Sequence, residues 1–282
     1  MSLPSSTGRL FSSSALLATL WLAGMTSNAV AADADAVTPP PEPAFDQARL
    51  YPEKAGKNWS LILGAGASYE PEYEGADSFK ISPIPLVVFT YGKWLEIDPT
   101  GVTIRAFERD GFALAAKVGY EDGRDEDDAD RLDGLGDIDF AATVGAKAYY
   151  TWNGLEVFAQ IDQTIDGSES LIGTIGAEYQ APVTEQLILG AGVEATIAND
   201  KHMEAYFGVN AAQSARSGLP EYEAEGGLKR VDVSASATYL VNENWLIRGE
   251  AGVGFLTGDA ADSPIVEKKV QPSASLFVGY KF

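Results

Sequence analysis

The stretch "SASLFVGYKF", residues 273–282, carries the reading of the fold. Ala274, Leu276, Val278, Tyr280 and Phe282 alternate with Ser273, Ser275, Phe277, Gly279 and Lys281. Chain ends are normally frayed and polar. An alternating strand that ends on Phe points to an end held in an apolar surround.

The same period of two runs through the chain from Trp59 onward. "WSLILGAGASY" sets Trp59, Leu61, Leu63, Ala65, Ala67 and Tyr69 against Ser60, Gly64, Gly66 and Ser68. "FALAAKVGY", "IDFAATVGAKAYY", "LEVFAQI", "LILGAGVEATI", "VDVSASATY" and "WLIRGEAGVGF" repeat the pattern, separated by turn residues such as Asn153-Gly154 and Asn242-Glu243-Asn244. These runs are about 9–13 residues long, whereas soluble strands average about five or six. A tilted strand crossing a bilayer needs about 9–11. Their apolar faces end in aromatics: Trp59 and Tyr69, Phe112 and Tyr120, Trp245 and Phe255. Aromatic girdles at the two interfaces of an apolar band mark outer-membrane barrels. The other faces carry Gly, Ser and Thr with Lys117, Lys147, Glu194, Arg248 and Glu250. In a soluble β-sandwich the apolar face would form the core. Strand length, aromatic ends, the Gly-rich polar face and the terminal Phe favour instead an all-β, transmembrane, antiparallel up-and-down β-barrel of about 12 strands, within a range of 10–14. Hydrocarbon leaves no backbone group unpaired, so the last strand must join the first.

The expected strands are 59–69, 80–90, 94–105, 111–121, 137–150, 154–165, 170–181, 185–198, 202–211, 229–241, 244–257 and 271–282. With both termini periplasmic, this order puts the acidic loop 122–136 on the periplasmic side, where turns are normally short. Splitting 94–105 at Asp98-Pro99-Thr100-Gly101 moves the loop outside but leaves an odd count, and the sequence leaves both alternatives open.

The N-terminus is a separate object. Arg9, the apolar "ALLATLWLAG" (15–24) and the small residues of "SNAVAA" (27–32) read as a secretory signal peptide over 1–32. Residues 33–58 hold five Pro and read as a Pro-rich periplasmic linker, with 59–282 as the barrel. The 282-residue chain has 20 Lys and Arg against 41 Asp and Glu, a net charge of −21. Removing 1–32 takes away Arg9 and no acid, leaving a net −22. That excludes a nucleic-acid footprint. The absence of Cys excludes disulfides and thiol chemistry.

No cofactor, metal or catalytic residue is expected. The acidic run from Glu121 to Asp133 fails the EF-hand spacing, since Leu132 stands where an oxygen ligand is needed, and reads as a solvated loop, with loose Ca²⁺ or Mg²⁺ binding as the alternative. Gly64-Ala65-Gly66 lies within a strand, not before a helix, and is no nucleotide loop. His202 is the only His and has no sequence-adjacent nucleophile. Lys117, Lys147, Glu194, Arg248 and Glu250 are candidate lumen-lining residues of a narrow or plugged pore.

Several loop phrases resemble the MipA/OmpV family of outer-membrane proteins: "GAGASYEPEYEGAD" (64–77), "SPIPLV" (82–87), "DGLGDID" (133–139), "AYFGVNAAQSARSGLPEYEAEGGL" (205–228), "LTGDAADSPIV" (256–266) and the terminal Phe282. The resemblance implies an outer-membrane barrel in a functionally mixed family. One member is described as a scaffold joining a lytic murein transglycosylase to a bifunctional murein synthase; others are described as porin-like or adhesion-related. It implies a non-enzymatic, monomeric protein of the cell outer membrane, in contact with lipid and lipopolysaccharide, acting as a scaffold or as a narrow porin-like channel. Pro71, Tyr73, Leu219, Pro220, Tyr222, Ser263 and Pro264 are the candidate docking-loop residues.

Overall fold

The computed structural model describes residues 58–165 and 167–282. The signal peptide expected over 1–32 and all but Asn58 of the linker expected over 33–58 lie outside the described residues. Twelve antiparallel strands form a closed barrel: β1 (Trp59–Pro71), β2 (Phe79–Tyr91), β3 (Leu95–Asp98), β4 (Gly101–Arg109), β5 (Phe112–Glu121), β6 (Ala141–Trp152), β7 (Leu155–Ile165), β8 (Leu171–Pro182), β9 (Leu187–Ala198), β10 (Gly227–Leu240), β11 (Trp245–Leu256) and β12 (Val270–Lys281). β12 closes on β1 over eight residue pairs, from Tyr69↔Ala274 to Ile62↔Lys281. The Phe282 N–H donates to the Leu61 carbonyl at 3.0 Å, and its ring meets Tyr280 edge-on at 4.8 Å. The terminal Phe thus extends the closing seam.

Two strand expectations are corrected, and the corrections compensate. Residues 94–105 are two strands, because the Asp98-Pro99-Thr100-Gly101 turn intervenes. Asp98 Oδ1 accepts from the Thr100 N–H at 2.6 Å and its hydroxyl at 2.7 Å. Gly101 takes a φ of 135°, which a side chain rarely adopts. Residues 202–211 are not a strand. They fall largely in helix α1 (Asp200–Phe207), whose N-cap Asn199 accepts the His202 N–H at 3.1 Å. Met203 and Phe207, four residues apart, share its buried face. One strand gained and one lost keep the count at twelve.

The split also settles sidedness. The segments 92–94, 110–111, 153–154, 183–186 and 241–244 lie at the end of the barrel where β1 begins at Trp59 and β12 ends at Lys281. The longer connections, 72–78, 122–140, 199–226 and 257–269, lie at the other end with the tight turn 99–100 and segment 167–170. Short turns are periplasmic in such barrels, so the acidic loop is external.

The alternating faces behave as lipid requires. Large apolar side chains point outward around the barrel, with Leu276 58% and Ile175 54% exposed. Trp94, Trp152, Trp245, Tyr150 and Tyr239 stand out near the short-turn rim, and Tyr69 and Phe140 near the other. At the seam, small inner residues let the backbones approach. A Cβ on Gly64 would lie 2.1 Å from the Val278 carbonyl oxygen and 2.8 Å from Gly279 Cα. Gly64→Val is therefore expected to strain closure by about 1–3 kcal/mol. The lipid-facing Ala65→Val is expected to be neutral. The fraction migrating as a heat-modifiable folded band after refolding checks both, and equal folding of the two variants would contradict the strained seam.

Candidate functional site

The external loops fold over the barrel mouth as a cap with two apolar centres. In one, Tyr73, Ala76, Leu132, Leu135, Val209, Leu219 and Ile265 meet from four loops. In the other, Met203 and Phe207 of α1 pack against Ala260 and Ala261 of helix α3 (Gly258–Asp262), with Ala198, Ala224 and Leu256. A third helix, α2 (Ala211–Ser217), starts in a reciprocal cap between Asn210 and Gln213 and ends at Gly218 in the left-handed region. Polar bonds tie the loops together. Tyr73 Oη donates to the Ile265 carbonyl at 3.0 Å, Ser263 Oγ to Phe207 at 2.6 Å, and Tyr222 Oη to Asp259 at 2.9 Å.

Most candidate docking residues therefore have work inside the cap. Tyr73, Leu219 and Ser263 are buried; Pro71, Tyr222 and Pro264 are half-buried; Pro220 is exposed. All seven belong to the external end. The acidic run is likewise built in. Glu126 Oε2 accepts the N–H groups of Gly134 and Gly136 at 3.1 and 2.9 Å, and Asp128 Oδ2 accepts that of Asp125 at 3.1 Å.

Beneath the cap lies a charged cluster assembled from five segments. His202, 3% exposed, stacks on Tyr206 with ring centroids 4.5 Å apart. Its Nδ1 lies 2.9 Å from Ser170 Oγ and 3.3 Å from Glu121 Oε1. Its Nε2 lies 3.2 Å from Lys229 Nζ. An ammonium can only donate, so Nε2 accepts, the proton sits on Nδ1, and the imidazole is neutral. Burial, then Lys229, holds the His202 pKa below its ordinary value against the opposing pull of Glu121 and Glu74. Lys229 Nζ also donates to Glu74 Oε2 at 3.0 Å, and Arg230 lies 3.5 Å from Glu74 Oε1. Burial acts to raise the Glu74 pKa, but Lys229 and Arg230 outweigh it and hold the carboxyl at about 2.

This arrangement does not prepare a nucleophile. Ser170 Oγ and the Glu121 carboxylate share the same side of the ring, and a cation occupies the other. Sequence reading missed the cluster because its members are separated by up to 155 residues. The one local signal was the Asn199 cap, which turns His202 inward.

A cavity of about 310 Å³ under the cap is bordered by this cluster and by Lys80, Thr100, Lys117, Tyr120 and Arg124. Below it, a cavity of about 490 Å³ occupies the barrel interior. Lys117, Lys147, Glu194, Arg248 and Glu250 all line this interior space. Lys147 pairs with Glu156 at 2.7 Å and Arg248 with Glu250 at 2.9 Å. Lys117 and Glu194 make no ion pair within 4 Å among the described residues. An apolar strip of Ile62, Ile84, Leu86, Val88 and Leu246 lines the same interior.

The sign of the cap's acid response follows from the two shifted groups. Each has a depressed folded-state pKa, so each contributes stability that is lost as pH falls: His202 below its ordinary 6.5, and Glu74 below its ordinary 4.5 toward 2. Hydrogen-exchange protection of α1 is expected to fall between pH 7 and 5. His202→Gln should flatten that interval while leaving the decline below about 4.5, where Glu74 begins to protonate. An unchanged profile in the variant would remove His202 from the response.

The model of the family described as "MltA-interacting protein MipA" matches residues 63–282. A putative outer membrane protein, YiaT of Escherichia coli (strain K12), is 24% identical over 227 residues, covering 79% of this chain and 91% of its own. The MltA-interacting protein of the same strain is 27% identical over 136 residues, 48% of this chain and 54% of its own. Among solved structures, the translocator domain of the autotransporter NalP from Neisseria meningitidis matches 80% of this chain and 89% of that one, at 14% identity and a TM-score of 0.44. The strand order, the lipid-facing apolar band and the family match over the barrel agree: this chain is an outer-membrane β-barrel and belongs to the MltA-interacting protein (MipA) family.

Proposed function

We propose that the protein is a non-enzymatic, monomeric outer-membrane scaffold that holds a lytic transglycosylase and a murein synthase at the periplasmic face. The cap carries this reading. Two apolar centres and a buried ion cluster across the external mouth are a large structural commitment for a general diffusion pore. The name of the MltA-interacting relative supplies the class of partner. Murein lies on the side of the short turns, so the contact surface in this reading is the rim 92–94, 110–111, 153–154, 183–186 and 241–244, with the segment before Trp59. The external residues Pro71, Tyr73, Leu219, Pro220, Tyr222, Ser263 and Pro264 act in it as cap structure. Lipopolysaccharide surrounds the barrel.

A narrow channel is the second reading, favoured by the interior charges. The larger cavity is lined by Glu70, Glu96, Asp98, Glu156, Glu178, Glu194 and Glu250 against Arg105, Lys117, Lys147 and Arg248, an acidic excess that would favour cations.

Planar-bilayer recording separates the two. The intact protein is expected to be nearly silent, and Phe207→Ala, which removes a fully buried ring at a cost of about 3–5 kcal/mol to the cap, is expected to open it intermittently. Steady ion-selective openings of the intact protein would favour the channel. For the scaffold, purified lytic transglycosylase should bind the full-length protein in detergent, and deletion of 33–58 or replacement of turn 241–244 should weaken binding at least tenfold. Undiminished binding by both variants would rule out the periplasmic face as the contact surface.

A further inference from the structure

The barrel wall is not of even height. β2 runs from Phe79 to Tyr91, but its ladder with β3 covers only Phe89–Tyr91. The remaining ten residues, about 33 Å of strand, pair with β1 alone among the described residues. β3 stops at Asp98 because of the turn closed by Asp98 and Gly101. On the far side, the β4–β5 ladder begins at Val102↔Val118, leaving Gly119–Glu121 without a β4 partner. The Tyr120 hydroxyl bonds to the Pro99 carbonyl at 2.7 Å across that corner. The wall therefore has a gap bounded by β2, the 98–101 turn and the end of β5.

The free edge of β2 is adapted to being free. The Gly92 N–H bonds to the Asn58 carbonyl on the β1 side, and the β1–β2 register is unbroken. Even-numbered residues of β2 therefore turn their backbone groups toward β1, and odd-numbered ones turn toward the gap. Pro83 and Pro85 are both odd, so the two missing N–H groups fall on the unpaired edge, where Pro is tolerated. The "SPIPLV" phrase is thus an edge that resists pairing with another strand. Its remaining carbonyls cannot face dry hydrocarbon, so the gap must be wetted from the interior.

The interior behind the gap is amphipathic. Thr100 and Lys117 border both cavities, Tyr120 and Lys80 the outer one, and Ile84, Leu86 and Val88 of β2 the inner one. From there the apolar strip continues to Ile62 and Leu246 near the short-turn rim. Two cations stand at the upper end. Lys117 has no ion pair within 4 Å among the described residues, and Arg124, 7% exposed, donates one Nη to the Tyr206 carbonyl. Six acids border the outer cavity: Glu74 and Glu121 are engaged by Lys229, His202 and Ser168, Glu72 accepts from Ser78, Asp128 from the Asp125 N–H and Asp162 from Gln160, and Asp122 is the sixth.

We propose that this gap is a lateral portal for a long-chain carboxylate. The molecule passes from the outer leaflet between β2 and the 98–101 turn, lays its single hydrocarbon chain on Ile84, Leu86, Val88, Ile62 and Leu246, and leaves its carboxylate at Lys117 and Arg124. A void of about 490 Å³ is within the usual size of small-molecule sites, about 300–1,000 Å³, and suits one chain. The head-up orientation matches that of an outer-leaflet amphiphile.

The absence of Cys from the sequence makes the test direct. Leu86→Cys and Ser236→Cys both point inward, but Ser236 is on β10, separated from β2 by β1, β12 and β11. Each is labelled with a small fluorophore in the full-length protein and reconstituted in phosphatidylcholine vesicles whose acyl chains carry a nitroxide quencher. The label at Leu86→Cys should be quenched at least threefold more strongly; equal quenching overturns the portal. Radiolabelled palmitate should bind the folded wild-type protein at one molecule per barrel, and Lys117→Gln should weaken binding at least fivefold. No saturable palmitate binding by the wild-type protein, whose folding is verified by heat-modifiable migration, overturns the ligand assignment. So does saturable binding of lysophosphatidate alone.

Discussion

The barrel depends on the requirement that backbone N–H and C=O groups in hydrocarbon be paired within the protein. A sheet can meet it only by closing, and here closure means β12 zipped to β1 from Tyr69↔Ala274 to Ile62↔Lys281. The requirement reaches down to single residues. Gly64 and Gly279 face each other with no room for a Cβ on Gly64, and Phe282 continues the hydrogen bonding one residue past the last strand. Once the ring is closed, its two faces answer to different solvents. Apolar side chains outside meet lipid, while the inner face can keep Lys147–Glu156 and Arg248–Glu250 pairs that a dry sandwich core would hold only at a cost.

The cap rests on a different force. Between lipid and an outward Leu there is little hydrophobic gain, but the external loops stand in water, where burying Phe207, Leu132, Ile265 and Met203 stabilises them directly. The cap therefore resembles a small globular core set on a membrane scaffold. Its buried cluster adds specificity of position. Glu74, Glu121, Ser170, His202 and Lys229 come from different segments, and each takes its partner from another segment. Such a network is satisfied as a unit, which ties cap closure to the protonation of His202 and Glu74.

The period-two faces were legible in the sequence because lipid and lumen sort residues by strict alternation. The same logic brought Lys117, Lys147, Glu194, Arg248 and Glu250 to the interior. Alternation carries no information where the chain leaves the membrane. "KHMEAYFGVN" can be read with a period of two or of 3.6, and the Asn199 cap with the Met203–Phe207 spacing decides for the helix. The Asp98-Pro99-Thr100-Gly101 turn was visible, yet its consequence for sidedness depended on that helix. Tyr73 and Ser263 stood out as loop features, but that they serve the cap's interior follows from contacts with Ile265 and Phe207, which no local pattern encodes.

The gap at β2 is where the two environments meet. The pairing rule that forces the seam at β1 and β12 is relaxed over ten residues of β2, and two prolines stand where unpaired donors would otherwise point. A strand edge left in lipid without such a device would recruit a partner strand, and one buried against protein would have no use for it. The edge is therefore neither a defect of closure nor an interface for another sheet. Lys117, which makes no ion pair within 4 Å among the described residues, and the apolar residues Ile84, Leu86 and Val88 line the interior behind it.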